Sequence, residues 1–282
     1  MIFGNFSTSG KSAIRSGWFL LAATIAFWFA VDLQVSAQTL TKAFSPAKIE
    51  KIENAIQSEM KKQKDVVGLA VGIISDGHIV YEKGFGFADL EKQLPVTQQT
   101  MFRWASCSKP LTAVTAMQLV DKKELDIDAD VRTYVPEFPD KKATITSRDL
   151  LCHQGGISHY STVVNLLNPP QTYTKPHPFE DVVVALDVFK NAPLVCQPRE
   201  KFNYSTYGFI LLSAVVERAG HEKFSTQVQN RIARPLGMVT LQPDYQWLNI
   251  PNRAVGYLKR NGKTVRSTDT DVGFKLGGGG FI

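Results

Sequence analysis

Cysteine is scarce in this chain. Its 282 residues carry three, Cys107, Cys152 and Cys196, and no two stand as C-x-x-C. That is too few for a disulfide scaffold and the wrong spacing for a zinc site. No metal and no organic cofactor is expected. Long blocks of one charge are lacking too. The net charge is +6, but the basic residues fall in short pairs such as Lys61-Lys62, Lys122-Lys123 and Lys141-Lys142. No basic run is interleaved with aromatics, so nucleic acid is not an expected partner, and the pairs read as solvated surface. Internal repeats and low-complexity tracts are absent. With 44% hydrophobic and 21% charged residues, the composition is that of a globular protein.

The apolar run at 18–31 is shorter than the roughly 20 residues that a membrane-spanning helix needs. Lys11 and Arg15 precede it, and Gln34-Val35-Ser36-Ala37 follows it. Basic residues, a short apolar stretch and then small residues make the layout of a signal peptide. Cleavage after Ala37 is expected. Residues 1–37 would then be the signal and 38–282 the domain, periplasmic or secreted. An uncleaved membrane anchor is the alternative, and the only membrane link expected. Three cysteines are an odd set for an oxidising compartment, so at least one thiol stays free. Buried thiols in apolar surroundings are expected.

Along the mature chain, Ser45-Pro46 predicts a helix start, and Ile49, Ile52, Ala55, Ile56 and Met60 form one face of a helix over 47–62. Residues 66–75 and 78–87 read as strands around the hairpin signal Asp76-Gly77. His78 reads as a surface residue of the second strand. A helix is expected over 106–122, with Pro110 in its first turn. Residues 125–139 read as loop. Asp126, Asp128 and Asp130 lack the glycine and glutamate of a calcium loop and read as solvated acids. Thr146 or Ser147 should cap a short helix through Cys152, ended by Gly155-Gly156. Residues 160–178, with four prolines, read as a long irregular loop of the kind that borders a substrate site. A helix follows over 207–219, stopped by Gly220. The last residues, Leu276-Gly277-Gly278-Gly279-Gly280-Phe281-Ile282, read as neither helix nor strand.

A serine followed three residues later by lysine occurs three times. Ser45-Lys48 is accounted for by the helix cap. Ser58-Lys61 lies in a charged, solvated helix end. Ser106-Cys107-Ser108-Lys109 is different, because Phe102 and Trp104 precede it and Leu111, Val114, Met117, Leu119 and Val120 follow it. There the pair opens a largely buried helix. At this spacing the two side chains share a face, so Lys109 can reach the Ser106 hydroxyl. Burial disfavours an ammonium, which would let Lys109 act as a base. The helix N-terminus would favour a developing oxyanion. A second acid/base should serve the leaving group. Tyr-Ser-Thr occurs at 160–162 and 204–206. The second copy directly precedes an apolar helix, which selects Tyr204.

Six segments then share an order with one known family. They are GFGFAD at 84–89, TMFRWASCSK at 100–109, LDID with YVPEFP at 125–139, LLCHQGGI at 150–157, FNYSTYG at 202–208 and PLGM at 235–238. The chain resembles the class C β-lactamase and penicillin-binding-protein family of serine hydrolases. Within it, YVPEFP, His159-Tyr160 and Tyr-Ser-Thr are most similar to the mitochondrial serine β-lactamase-like branch and its bacterial relatives. The resemblance implies an α/β (α+β) fold of the β-lactamase/transpeptidase type. An antiparallel sheet would be flanked by N- and C-terminal helices, beside an all-helical region. It implies that Ser106 is the acylated nucleophile, that Lys109 takes its proton and that Tyr204 returns it to the leaving group. His153 would be structural.

Two departures qualify this. Thr206 stands where β-lactamases carry asparagine, which favours a peptidase or esterase; its hydroxyl can still bind Lys109 or a substrate amide. The family's third motif, Lys-Thr-Gly or His-x-Gly on a strand beyond the glycine run, does not occur, so the fold is expected to be incomplete at its C-terminus. The expected function is an exported serine hydrolase acting through an acyl-enzyme on Ser106, with a peptide, ester or β-lactam substrate. The alternative is an inactive member that binds peptide or cell-wall ligands.

Overall fold

A computed structural model describes residues 44–63, 66–161, 177–268 and 271–282. The expected signal segment and most of the proline-rich loop lie outside them. Among the described residues, no helix is long and apolar enough to cross a membrane. The chain divides into two compact units. One takes its described residues from Met1–Lys64 and Leu69–Phe85, the other from Asp65–Gly68 and Gly86–Ile282.

The first unit is a helix and a hairpin, as the sequence predicts. Helix α1, Pro46–Lys62, starts at Ser45, whose hydroxyl accepts the Lys48 N–H at 3.4 Å. Ile49, Ile52, Ile56 and Met60 are half-buried along one face, whereas Ala55 is exposed. Strands β1, Gly68–Ser75, and β2, His78–Asp89, join at Asp76-Gly77. Both turn residues have positive φ, 51° and 76°, as a two-residue hairpin that follows the twist of its strands requires. Glu53 ties helix to hairpin by an ion pair with Lys83 at 2.8 Å.

In the second unit the end of β2 pairs antiparallel with β3, Leu94–Pro95, and β4, Tyr257–Arg260, pairs antiparallel with β5, Lys263–Arg266. The remainder is helical. A 3-10 turn, Ala105–Ser108, runs directly into α2, Lys109–Asp121. Helix α3 is Ser147–Leu151, and α4 is Thr206–Ala219, capped by Ser205 and ended at Gly220. Helix α5, Phe224–Val228, continues as a π-helical turn, Gln229–Ala233. The chain closes with a 3-10 turn, Gly273–Lys275, and α6, Leu276–Gly279. Helix α4 is the centre of the core, with every residue from Tyr207 to Val216 buried. Burying one such Leu or Ile side chain is worth about 1.5–3 kcal/mol.

Several expectations need correction. The glycine run is helical, because it packs against α4 more closely than any side chain would permit. A Cβ on Gly277 would lie 2.4 Å from the Ser213 Cβ. Helix α3 is ended by His153 at φ 56°, not by the glycines that follow. The segment 125–139 contains a 3-10 turn, Val131–Thr133, and its acids are engaged: Asp126 accepts the Asp128 N–H at 2.9 Å and Glu137 pairs with Arg218. Asp128 is bidentate with Arg148, and Asp130 caps the turn and pairs with Arg132. Lys141 is half-buried, its ammonium bonded to the carbonyls of Lys190 and Ala192. All three cysteines are free, but Cys107 and Cys152 are exposed and Cys196 half-exposed. Cys107 is on the outer face of its turn and Cys152 on the C-terminal cap of α3, so neither faces the core.

Candidate active site

Ser106 is not the cap of a regular helix, as its spacing implied. It stands second in the 3-10 turn, behind Ala105, whose φ of 47° is unusual for a residue with a side chain. This kink leaves Ser106 exposed while Lys109, three residues on, is buried at 6% exposure. The carbonyl of Phe281 accepts the Trp104 N–H at 2.9 Å, and the buried Ser108 hydroxyl accepts the Phe281 N–H at 3.2 Å. The turn that carries Ser106 is thereby fixed to the end of the glycine run.

The Lys109 ammonium reaches three acceptors. They are the Gly278 carbonyl at 2.6 Å, the Ser106 hydroxyl at 3.2 Å and the Thr206 hydroxyl at 3.4 Å. Three acceptors match the three N–H donors of a protonated lysine. The Gly278 carbonyl is a partner that no motif announces. The available signal was the glycine run itself, which marks a close backbone approach. A Cβ on Gly278 would lie 2.6 Å from the Thr206 Cγ2 and 2.9 Å from its carbonyl oxygen. Gly278→Ala is therefore expected to shift α6 from α4 and move this carbonyl off Lys109. A stability loss of about 1–3 kcal/mol and a more than tenfold slower acylation should follow. A thermal melt and the rate of covalent labelling check this; an alanine variant labelled at the wild-type rate would disprove it.

Tyr204 Oη donates to the Ser106 hydroxyl at 2.8 Å. Its position is set by the loop at 153–158. The His153 carbonyl accepts the Asn203 N–H at 2.7 Å, and the Asn203 amide donates to the Ile157 carbonyl at 2.8 Å. The Ser205 hydroxyl donates to the Ser158 carbonyl at 2.7 Å. His153 Nδ1 accepts the Ser205 N–H at 3.2 Å, and its ring lies 4.5 Å from that of Tyr204. Tyr160, in the other Tyr-Ser-Thr, packs instead against the His159 and Tyr207 rings; Thr162 is outside the described residues.

Burial raises the Tyr204 phenol, but the polar surroundings of Lys109, Ser106 and Thr206, with the Lys109 charge, outweigh it and hold the phenol below its ordinary 10.0. Both nearby imidazoles are held below the ordinary histidine range, first by burial and then by the Lys109 charge. The sequence assigned no role to His159. Its Nδ1 accepts the Ser161 N–H at 3.0 Å, which places the ring proton on Nε2, 3.3 Å from the Thr206 hydroxyl. Among the described residues no group of three or more His, Cys, Asp or Glu side chains is placed to hold a metal.

Comparison with known proteins gives this geometry its context. The Beta-lactamase family model matches residues 52–280. The mitochondrial serine beta-lactamase-like protein LACTB of Homo sapiens is 30% identical over 311 residues, 88% of this chain and 56% of that protein. Esterase EstB of Burkholderia gladioli is 29% identical over 222 residues, 74% of this chain and 54% of the esterase. The octameric penicillin-binding protein homologue from Pyrococcus abyssi superimposes with a TM-score of 0.68 at 24% identity, over 83% of this chain and 53% of that one. The chain thus spans about half the length of the curated relatives it matches. Its mixed α/β architecture is of the β-lactamase/transpeptidase type. With the family model covering most of its length, the chain belongs to the beta-lactamase family of serine hydrolases.

Proposed function

We propose that this chain is a hydrolase that works through an acyl-enzyme on Ser106. The observation that carries the reading is the convergence of Lys109 and Tyr204 on one exposed serine hydroxyl, at 3.2 and 2.8 Å. Lys109 has the acceptor set of an ammonium, and its charge draws the Tyr204 proton away. Tyr204 as phenolate then takes the Ser106 proton while Ser106 Oγ attacks the substrate carbonyl. The phenol so formed returns that proton to the leaving group as the acyl–oxygen or acyl–nitrogen bond breaks. Water, deprotonated by the same phenolate, then attacks the acyl-serine, and the phenol returns that proton to Ser106 Oγ as the acyl–oxygen bond breaks. Thr206 holds Lys109 in place and lies within reach of a substrate amide. The threonine hydroxyl where β-lactamases have asparagine, together with the esterase among the relatives, favours an ester or peptide over a β-lactam.

A fluorophosphonate and a fluorescent penicillin should each test this on the purified protein. One covalent adduct per chain, located on the peptide containing Ser106, is the expected result. No adduct with either probe, or an adduct on another residue, contradicts the reading.

The location proposed for the chain is outside the cytoplasm, on the strength of the layout of residues 1–37. N-terminal sequencing of the protein recovered from a secreting host should begin at Gln38. Recovery of intact Met1 in a membrane fraction would instead identify an anchor.

A further inference from the structure

Among the described residues, positive charge predominates around Ser106. Lys109 lies at its centre. Lys275, the last residue of the 3-10 turn before α6, extends over the Tyr160 ring, with its ammonium 5.5 Å from the centroid. That ring also packs against His159, 4.0 Å away, and His159 in turn reaches Thr206. Lys275, Tyr160, His159 and Thr206 therefore form a continuous wall leading to Lys109.

The carboxylate whose charge acts on Lys275 is Asp244, which is fully buried and engaged elsewhere. It is ion-paired with Arg103 and, at 2.6 Å, with Arg253. The Arg103 charge also acts on Lys275. No hydrogen bond or ion pair to the Lys275 ammonium is present among the described residues, although it is half-buried. Burial, reinforced by the Arg103 and Lys109 charges, holds this ammonium below the ordinary lysine range against the pull of Asp244. A half-buried ammonium that has, among the described residues, only the Tyr160 and Phe274 rings for its three donors is a costly arrangement that an anion would relieve. A cleft lined by charge of one sign also concentrates ligands of the other.

We propose that Lys275 is a specificity determinant, and that the preferred substrates carry a carboxylate on the acyl side of the scissile bond. The acyl side is assigned because Lys275 belongs to the Thr206–His159 wall, whereas Tyr204 serves the leaving group. The inference rests on the Ser106 reading and deepens it.

The p-nitrophenyl ester of valeric acid and the p-nitrophenyl monoester of glutaric acid have acyl chains of equal length and differ by one carboxylate. Their kcat/KM values, each divided by the spontaneous hydroxide rate, give a preference ratio. In the wild-type protein the ratio should favour the glutarate roughly tenfold or more, the value of one charge-assisted hydrogen bond, and should shrink as salt is added. Lys275→Met keeps the stem over Tyr160 and should bring the ratio close to one; Lys275→Arg should keep most of it. A ratio unchanged in Lys275→Met, or a wild-type preference for valerate, overturns the inference.

Binding tests it without turnover. Calorimetry on the Ser106→Ala protein should show tighter binding of glutaric monoanilide than of valeranilide. That difference should vanish when Lys275→Met is added. Equal affinity for the two anilides overturns the Lys275 assignment. Absence of turnover with a retained binding difference contradicts the Ser106 reading alone.

Discussion

Ser106→Ala is expected to abolish covalent labelling and to lower ester hydrolysis by roughly 10^5- to 10^6-fold, the scale on which loss of an acylated nucleophile acts. The hydroxyl is where the two proton-handling side chains meet, and neither can replace it. Lys109 is buried behind the turn and points its donors at Ser106, Thr206 and the Gly278 carbonyl. Tyr204, as the base, would have no proton to take. The fold should survive the change. Ser106 is exposed, its side chain caps no helix, and the turn is fixed by backbone bonds of its neighbours to Phe281. A melting curve within about 0.5 kcal/mol of wild type is expected. Intact-mass spectrometry after fluorophosphonate treatment, with hydrolysis rates, checks both halves. Labelling that persists in the alanine protein would move the nucleophile elsewhere.

Tyr204→Phe should slow acylation about 10^2- to 10^4-fold while leaving the Ser106 turn intact. It differs from the first variant in its pH signature. In the proposed mechanism Tyr204 acts when deprotonated, so wild-type kcat/KM should rise with pH through the Tyr204 midpoint. The Lys109 charge and its hydrogen bonds place that midpoint below 10.0. Below it the phenol is protonated and the rate falls tenfold per pH unit. In Tyr204→Phe this limb should disappear from the residual rate. A phenylalanine variant with an unaltered pH profile would show that another group accepts the Ser106 proton. The rate alone cannot separate the two, because a misplaced Ser106 would also be slow.

How far the site could be read in advance depended on how local its signals were. Ser45-Pro46 at α1, Asp76-Gly77 in the hairpin and Ser205 at α4 act within a few residues, through caps and turns. Each formed where its chemistry required. Choosing Ser106-Lys109 among three such pairs rested on apolar flanks, and those flanks are what bury Lys109. Choosing Tyr204 over Tyr160 rested on the apolar helix that follows, and the loop at 153–158 holds that same segment.

The misreadings share a cause. Cys107 and Cys152 look like core residues by type, yet each lies on an outer surface, and only the direction of its turn decides that. Lys141 looks like a surface lysine, but two carbonyls about fifty residues away hold it. The glycine run looks unstructured because glycine disfavours helix by about 1 kcal/mol per residue. Contact with Thr206 and Ser213 overrides that preference.

By itself, then, the sequence determined the family and the helix and hairpin starts, and it singled out Ser106, Lys109, Tyr204 and Thr206 as the candidates that the structure brings together. These follow from short-range chemistry and from residue types at set spacings. Only the tertiary structure decided what surrounds them. The Gly278 carbonyl stands 169 residues from Lys109, and His159 stands 47 from Thr206. Lys275 meets Tyr160 only because α6 packs on α4. A backbone carbonyl has no sequence signature, and the neighbours that set the balance of a charge are brought to it only by the fold.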